Sequence, residues 1–110
     1  MRQYRIDELR VADYEKIKSH MDDSFGPSAL GGLYWVPVED NLLDEIQIAH
    51  ADCQPFYFAV ELQEDCISFE LLIRTKERIR CDCIQYANLE QRESIIRFAD
   101  HLFETLKIVT

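Results

Sequence analysis

The chain has 110 residues, of which 47% are hydrophobic and 11% aromatic, and its formal net charge is −9. This length predicts a single domain over residues 1–110, and the hydrophobic content excludes an intrinsically disordered chain. The acidic balance disfavours nucleic-acid binding, which needs a basic face. No apolar run reaches the ~18 residues of a membrane span, and the first residues do not form a signal peptide. We therefore expect a cytoplasmic protein that does not engage a membrane.

The first third of the chain contains two strand signals and one helix signal. Residues 3–9 predict a short edge strand. Apolar residues at spacings of three and four predict an amphipathic helix over residues 11–23. The apolar run at residues 33–38 predicts a second strand. Its Pro37 belongs at an edge or at the strand's end, because proline has no N–H to donate to a ladder.

Two further helices are predicted from N-cap signals. Asp40 or Asn41 is the expected N-cap of a helix over residues 42–51. The predicted inward side chains of this helix are Leu43, Ile46, His50 and Cys53. Asn88 and Gln91 have the spacing of a capping box, which predicts a last helix that continues almost to the end of the chain.

Residues 56–86 predict three consecutive antiparallel strands, and this meander specifies the fold. Apolar side chains recur at every second position in the first two strands, as in strands with one buried face. The predicted pairs are Leu62 with Ile67, Val60 with Phe69, Phe58 with Leu71, and Phe56 with Ile73. The third strand continues the apolar face, with Ile79 opposite Ile73, Cys81 opposite Leu71, and Cys83 opposite Phe69.

These elements together predict an α+β fold. It contains an antiparallel sheet of four or five strands, including the 56–86 meander, with two or three helices packed mainly on one face as a two-layer sandwich. The other sheet face carries Tyr57, Leu72 and Ile84 among polar side chains. These three residues are a candidate surface for a protein partner or a homodimer.

The cysteines provide the strongest chemical signal. In a cytoplasmic chain Cys53, Cys66, Cys81 and Cys83 are expected to be reduced. His50 and Cys53 share one side of a helix, and Cys81 and Cys83 share one face of a strand. If this helix packs over the third meander strand, the four side chains converge as a ligand set that suits tetrahedral zinc. The alternative is that Cys81 and Cys83 are small buried hydrophobic residues.

A thiol-dependent enzyme is a second chemical hypothesis, with Cys81 or Cys83 as nucleophile and His50 as base. No third group is available in the sequence to orient the imidazole. A reactive thiolate also needs an electropositive, partly exposed position, whereas both cysteines are predicted on the apolar face. We therefore assign no catalytic residue.

Basic residues are concentrated in one segment. Between Ser19 and Ile73 there are eleven acidic residues and no Lys or Arg, and the segment 74–80 follows with four basic residues. Its arginines, Arg74, Arg78 and Arg80, are candidates for binding an anion or an acidic partner. The alternative is a charged hairpin turn that discourages pairing at a sheet edge.

The leading functional hypothesis is a non-enzymatic interaction or regulatory protein without a cofactor, since no catalytic set is recognisable. The alternative is a small zinc-stabilised domain ligated by His50, Cys53, Cys81 and Cys83.

Overall fold

We describe the computed structural model of the chain over residues 2–28, 31–76 and 81–109. Across these residues the chain forms six strands and three α-helices. In chain order they are β1 (Gln3–Ile6), α1 (Val11–Phe25), β2 (Leu33–Pro37), α2 (Glu45–Ala49), β3 (Phe56–Leu62), β4 (Ile67–Glu70), β5 (Leu72–Thr75), β6 (Gln85–Tyr86) and α3 (Leu89–Leu106). Two short 3₁₀ turns, Asp40–Leu42 and Ala51–Cys53, lie on either side of α2.

Within the same ranges, none of the helices combines the length and the apolar character that crossing a membrane requires.

Strand β3 is the centre of the antiparallel sheet. Tyr57 pairs with both Pro37 and Arg74, so β2 and β5 lie along opposite edges of β3. Glu61 pairs with residues of both β2 and β4, so β4 lies on the same edge as β5. On the outer side, β1 pairs with β4 and β6 pairs with β5. The structure therefore confirms the predicted α+β fold with an antiparallel sheet.

The first two meander strands pair as predicted over the half nearest their connecting loop. The observed pairs are Val60 with Phe69 and Leu62 with Ile67. Their side chains are buried, as are those of Phe56, Phe58 and Ile73 further along. The period-2 pattern therefore identified the buried face correctly.

Beyond Glu70 the predicted register is wrong, because the second meander strand is divided at Leu71. The N–H of Leu71 donates to the carbonyl of Arg2, and its carbonyl accepts from the N–H of Ala87. When pairing with β3 resumes, Phe56 lies opposite Thr75, two residues later than predicted. A shift of two residues keeps each side chain on its face, so the buried face survives the change.

The predicted third meander strand is also wrong over residues 81–84. Here the chain makes a turn in which the N–H of Ile84 donates to the carbonyl of Cys81 at 3.0 Å. Strand β6 contains only Gln85 and Tyr86. The predicted pairs of Cys81 and Cys83 with Leu71 and Phe69 are therefore not formed, and Ile79 lies outside the described residues.

The apolar core lies between the sheet and helices α1 and α3, whose buried side chains join one cluster with those of the strands. Phe98 of α3 is central to the aromatic part of this cluster. Its ring centroid is 5.6 Å from that of Phe58, 6.0 Å from that of Phe25 and 6.2 Å from that of Phe69. The capping box of Asn88 and Gln91 is present at the start of α3, as predicted.

Helix α2 differs from its prediction in both length and orientation. It is capped by Asp44, whose carboxylate accepts a hydrogen bond from the N–H of Gln47 at 2.8 Å, and not by Asp40 or Asn41. The fully buried side chain is Gln47, whereas the predicted inward Ile46 is 41% exposed. The inward position of α2 is therefore occupied by the amide of Gln47 and not by the predicted apolar side chains. This amide can be buried because it has hydrogen-bond partners inside the protein.

Candidate metal centre

Two short turns bring three cysteines together at one end of the sheet. Cys53 ends the 3₁₀ turn that precedes β3, and Cys81 and Cys83 lie in the turn that precedes β6. Strands β3 and β6 are both antiparallel to β5, so they begin at the same end of the sheet. The strand pairing therefore places the two turns next to each other.

The three thiol sulfurs lie within 4.8 Å of one another. The Sγ atoms of Cys53 and Cys81 are 4.0 Å apart, and all three residues are free thiols. With Zn–S bonds of about 2.3 Å, tetrahedral geometry separates two sulfurs by about 3.8 Å. The spacing therefore needs little adjustment to accept a thiophilic ion.

Buried polar side chains donate hydrogen bonds to the backbone carbonyls of both turns. The hydroxyl of Thr75 donates to the carbonyl of Cys53. The amide nitrogen of Gln47 donates to the carbonyl of Cys83 at 3.4 Å, and its amide oxygen accepts from Gln91 at 2.9 Å. Outer hydrogen bonds of this kind orient ligand residues in metal sites. The sequence pattern did not reveal Thr75 or Gln47, and it revealed Gln91 only as a capping residue.

The pKa values of two of the thiols are shifted in opposite directions. Burial, reinforced by hydrogen bonds with the other two thiols, raises the pKa of Cys83 to about 12. The pKa of the half-buried Cys81 is lowered, chiefly because the backbone N–H of Cys83 bonds to its sulfur, with smaller contributions that include His50. A bound cation would offset the cost of holding Cys83 as a buried thiolate.

His50 lies three residues before Cys53, at the C-cap of α2, and its ring nitrogens are outside the group of three sulfurs. Its Nδ1 is 2.7 Å from the carbonyl oxygen of Ile46. Because a carbonyl can only accept, this contact assigns the proton of the neutral ring to Nδ1 and leaves the lone pair on Nε2. The imidazole thus has the tautomer that a metal ligand bound through Nε2 requires.

The fourth cysteine lies apart from this cluster. Cys66 is buried, and its thiol donates to the amide oxygen of Gln63 at 3.3 Å. Burial is the first cause of its raised pKa. Cys66 is therefore a natural reference for a buried cysteine that has no part in the cluster.

The residues predicted to bind a partner are distributed over different parts of the structure. Tyr57 and Leu72 are half-buried, whereas Ile84 packs against the hydrophobic core. Arg74 makes an ion pair with Glu70 at 2.5 Å. The other two predicted arginines, Arg78 and Arg80, lie outside the described residues.

Comparison with known proteins adds no family to this description. No protein-family model, no curated protein and no solved structure matches the chain. What the protein does is therefore inferred from the arrangement of its own side chains.

Proposed function

We propose that the protein is a small zinc-stabilised domain with a non-enzymatic, interaction-type role. The observation that supports this most directly is the mutual distance of the sulfurs of Cys53, Cys81 and Cys83, all within 4.8 Å. Thiolates of this spacing suit zinc, which is usually four-coordinate and tetrahedral in structural sites.

His50 is the proposed fourth ligand. It precedes Cys53 by one helical turn, and its Nε2 lone pair is free of the hydrogen bond that Nδ1 makes with Ile46. A movement of the turn that follows α2 would be needed to bring Nε2 to the ion, because the ring nitrogens lie outside the group of three sulfurs. Four protein ligands would close the coordination sphere, as in structural rather than catalytic zinc sites.

The proposed role of the ion is to connect two turns that are distant in the sequence. One turn leads into β3 and the other into β6, and both contribute a buried cysteine to the hydrophobic cluster. Zinc bound by both turns would stabilise the folded state, because the unfolded chain does not hold the ligands together. The connected turns would then form a rigid end of the domain.

The test is metal analysis of protein prepared without a histidine tag, combined with thermal unfolding. We expect about one zinc ion per chain and a lower melting temperature after chelation. Cys53→Ser should lose the zinc and the response to chelator. Zinc content well below one per chain, together with no melting shift on chelation, would contradict the proposal.

Cys66→Ser is the matched control for this experiment. It also places a hydroxyl in a buried site, which costs roughly 1–3 kcal/mol whether or not a metal is bound. It should therefore lower the melting temperature but keep both the zinc and the response to chelator. His50→Ala, compared with His20→Ala on α1, tests the fourth ligand, and only the first should weaken zinc binding.

A further inference from the structure

Strand β2 is paired along one edge only in the described part of the chain. Among the described residues its strand neighbour is β3 alone. The N–H of Leu62 donates to the carbonyl of Gly32 at 2.8 Å, and the N–H of Val38 donates to the carbonyl of Phe56 at 2.9 Å. Because alternate residues of an antiparallel ladder bond to the same neighbour, the even-numbered residues of β2 bond to β3. The backbone groups of Leu33, Trp35 and Pro37 therefore point away from the sheet.

Within its own five residues, this outer edge has only one of the usual protections against strand pairing, Pro37. Lysines, inward-pointing charges, prolines and bulges are the common protective devices. The sequence of β2 is Leu-Tyr-Trp-Val-Pro, which contains no charge. Pro37 removes one outward donor, but the N–H groups of Leu33 and Trp35 and the carbonyls of all three outward residues remain.

We infer that a second copy of the chain pairs with this edge, β2 against β2, in antiparallel orientation. Full overlap of the five-residue strand places Trp35 opposite Trp35 of the second copy, and Leu33 opposite its Pro37. The two Trp35 residues exchange N–H to carbonyl hydrogen bonds in both directions. Each Leu33 N–H donates to the carbonyl of the opposing Pro37, so the missing proline donor removes only one bond from each of these pairs.

Local charges favour this orientation of the second copy. Two chains with a net charge of −9 repel each other overall, and the uncharged sequence of β2 adds no repulsion where the strands meet. Beside one end of the strip, the Lys76 ammonium lies 4.4 Å from the Tyr57 ring centroid and 5.9 Å from that of Trp35. Beside the other end is the exposed Glu61, opposite Leu33. The two-fold axis brings the Lys76 end of each copy towards the Glu61 end of the other, which is a self-complementary arrangement.

The interface consists of one strand edge and its flanking side chains, so the dimer is expected to be weak and concentration-dependent. This inference does not depend on the proposed zinc site, whose ligands lie in other segments of the chain. A metal-free variant that remains folded should still dimerise.

The experiment is sedimentation velocity over a range of protein concentrations for the wild type, Trp35→Lys, Trp35→Glu and an equimolar mixture of the two variants. Identical residues face each other at the two-fold axis, so each variant places like charges directly opposite and should be monomeric. The mixture places Lys opposite Glu and should recover dimer. A wild type that stays monomeric at the highest concentration, variants that dimerise like the wild type, or a mixture that fails to recover dimer would each overturn the inference.

A second pair of variants keeps the test decisive if a charged residue at position 35 disturbs folding. Trp35→Pro removes an N–H that only the second copy uses, whereas Trp35→Ala keeps it. Circular dichroism should show both variants folded, because the ladder to β3 uses neighbouring residues. We expect no dimer for Trp35→Pro and measurable dimer for Trp35→Ala. Equal dimerisation of the two folded variants would contradict pairing through this edge.

Discussion

The apolar layer and the thiol end of this protein are held together by different means. The apolar layer comprises the core side chains between the sheet and helices α1 and α3, with Phe58, Phe69 and Phe98 in ring contact. The thiol end comprises α2 and the turns that carry Cys53, Cys81 and Cys83. Its buried thiols, Cys53 and Cys83, also touch the apolar cluster, but hydrogen bonds from Gln47 and from Thr75 of β5 hold their backbone carbonyls. Among the described residues no buried side-chain nitrogen or oxygen lacks a hydrogen-bond partner.

The difference shows how strictly apolar contacts and hydrogen bonds each fix the partner of a buried residue. Apolar contacts are non-directional, so the layer accommodates a two-residue shift of register at Leu71 without exposing the buried face. Hydrogen bonds are directional, and each buried polar group at the thiol end needs its particular partner. The thiol end should therefore depend more on single residues than its small size suggests.

The largest expected effect comes from opening the apolar layer. Phe69 is fully buried and contacts the rings of Phe98 and Tyr4. Phe69→Ala should lower the free energy of unfolding by about 3–5 kcal/mol, through lost burial and the cavity that remains. Urea denaturation measures this, with Leu89→Ala as control, since that side chain is 62% exposed and should change stability by less than about 0.5 kcal/mol. A similar loss for both variants would contradict the packing described.

An intermediate effect is expected from Gln91, which connects the two regions. Its amide nitrogen donates to the carbonyl of Leu42 at 2.8 Å and to the amide oxygen of Gln47 at 2.9 Å. Gln91→Ala should cost about 2–3 kcal/mol, because it removes the donor to the Leu42 carbonyl and the acceptor of the Asn88 N–H. The amide oxygen of Gln47 loses one of its two donors and keeps the N–H of Asp44. Truncation of an exposed glutamine, Gln3→Ala, should cost less than about 0.5 kcal/mol in the same urea titration.

Gln91→Ala also tests whether the two regions are linked through the proposed zinc site. Gln91 holds Gln47, and Gln47 holds the carbonyl of Cys83, so Gln91→Ala should weaken zinc binding about tenfold, as expected for an outer-shell partner. Competition with a chelator measures the affinity, and Gln3→Ala should match the wild type. An unchanged affinity in Gln91→Ala would show that the hydrogen-bond chain does not reach the thiol end.

The smallest effect concerns a charged group at the margin of the apolar layer. The carboxylate of Asp13 is buried at the start of α1, where it accepts hydrogen bonds from the guanidinium and the backbone N–H of Arg10. The guanidinium contact is the first cause of a pKa lowered from the usual value. The stabilisation is therefore present above the unfolded pKa of about 4 and is lost as pH falls through the lower folded pKa.

Urea midpoints measured between pH 5 and pH 2 test this dependence on Asp13. The wild type should lose stability more steeply with falling pH than Asp13→Asn, which has no carboxylate to protonate. Asp23→Asn on the same helix should keep the wild-type slope, because Asp23 is exposed. Parallel slopes for the wild type and Asp13→Asn would exclude the assigned role of the carboxylate.

The elements that repeat a burial pattern could be predicted from the amino-acid sequence. Helices α1 and α3, the apolar side of β3 and β4, and the capping box at Asn88 follow from spacings within about ten residues. Such spacings report which side of a helix or strand is buried, whatever it packs against. The position of Pro37 at both the edge and the end of β2 also follows from its own chemistry, since it has no N–H to donate.

Only the tertiary structure decided the features that depend on hydrogen bonds between distant segments. Leu71 does not pair with β3, because its backbone N–H and carbonyl bond instead to Arg2 and Ala87. The turn of Cys81 and Cys83 receives a hydrogen bond from Gln47, 36 residues away from Cys83, and this turn places both sulfurs beside Cys53. The pattern of residues 79–83 has the period of a strand, but such a period reports burial and not the partner. The convergence of the three thiols, and the pairing of β2 with β3 alone among the described strands, therefore depend on which segments meet in three dimensions.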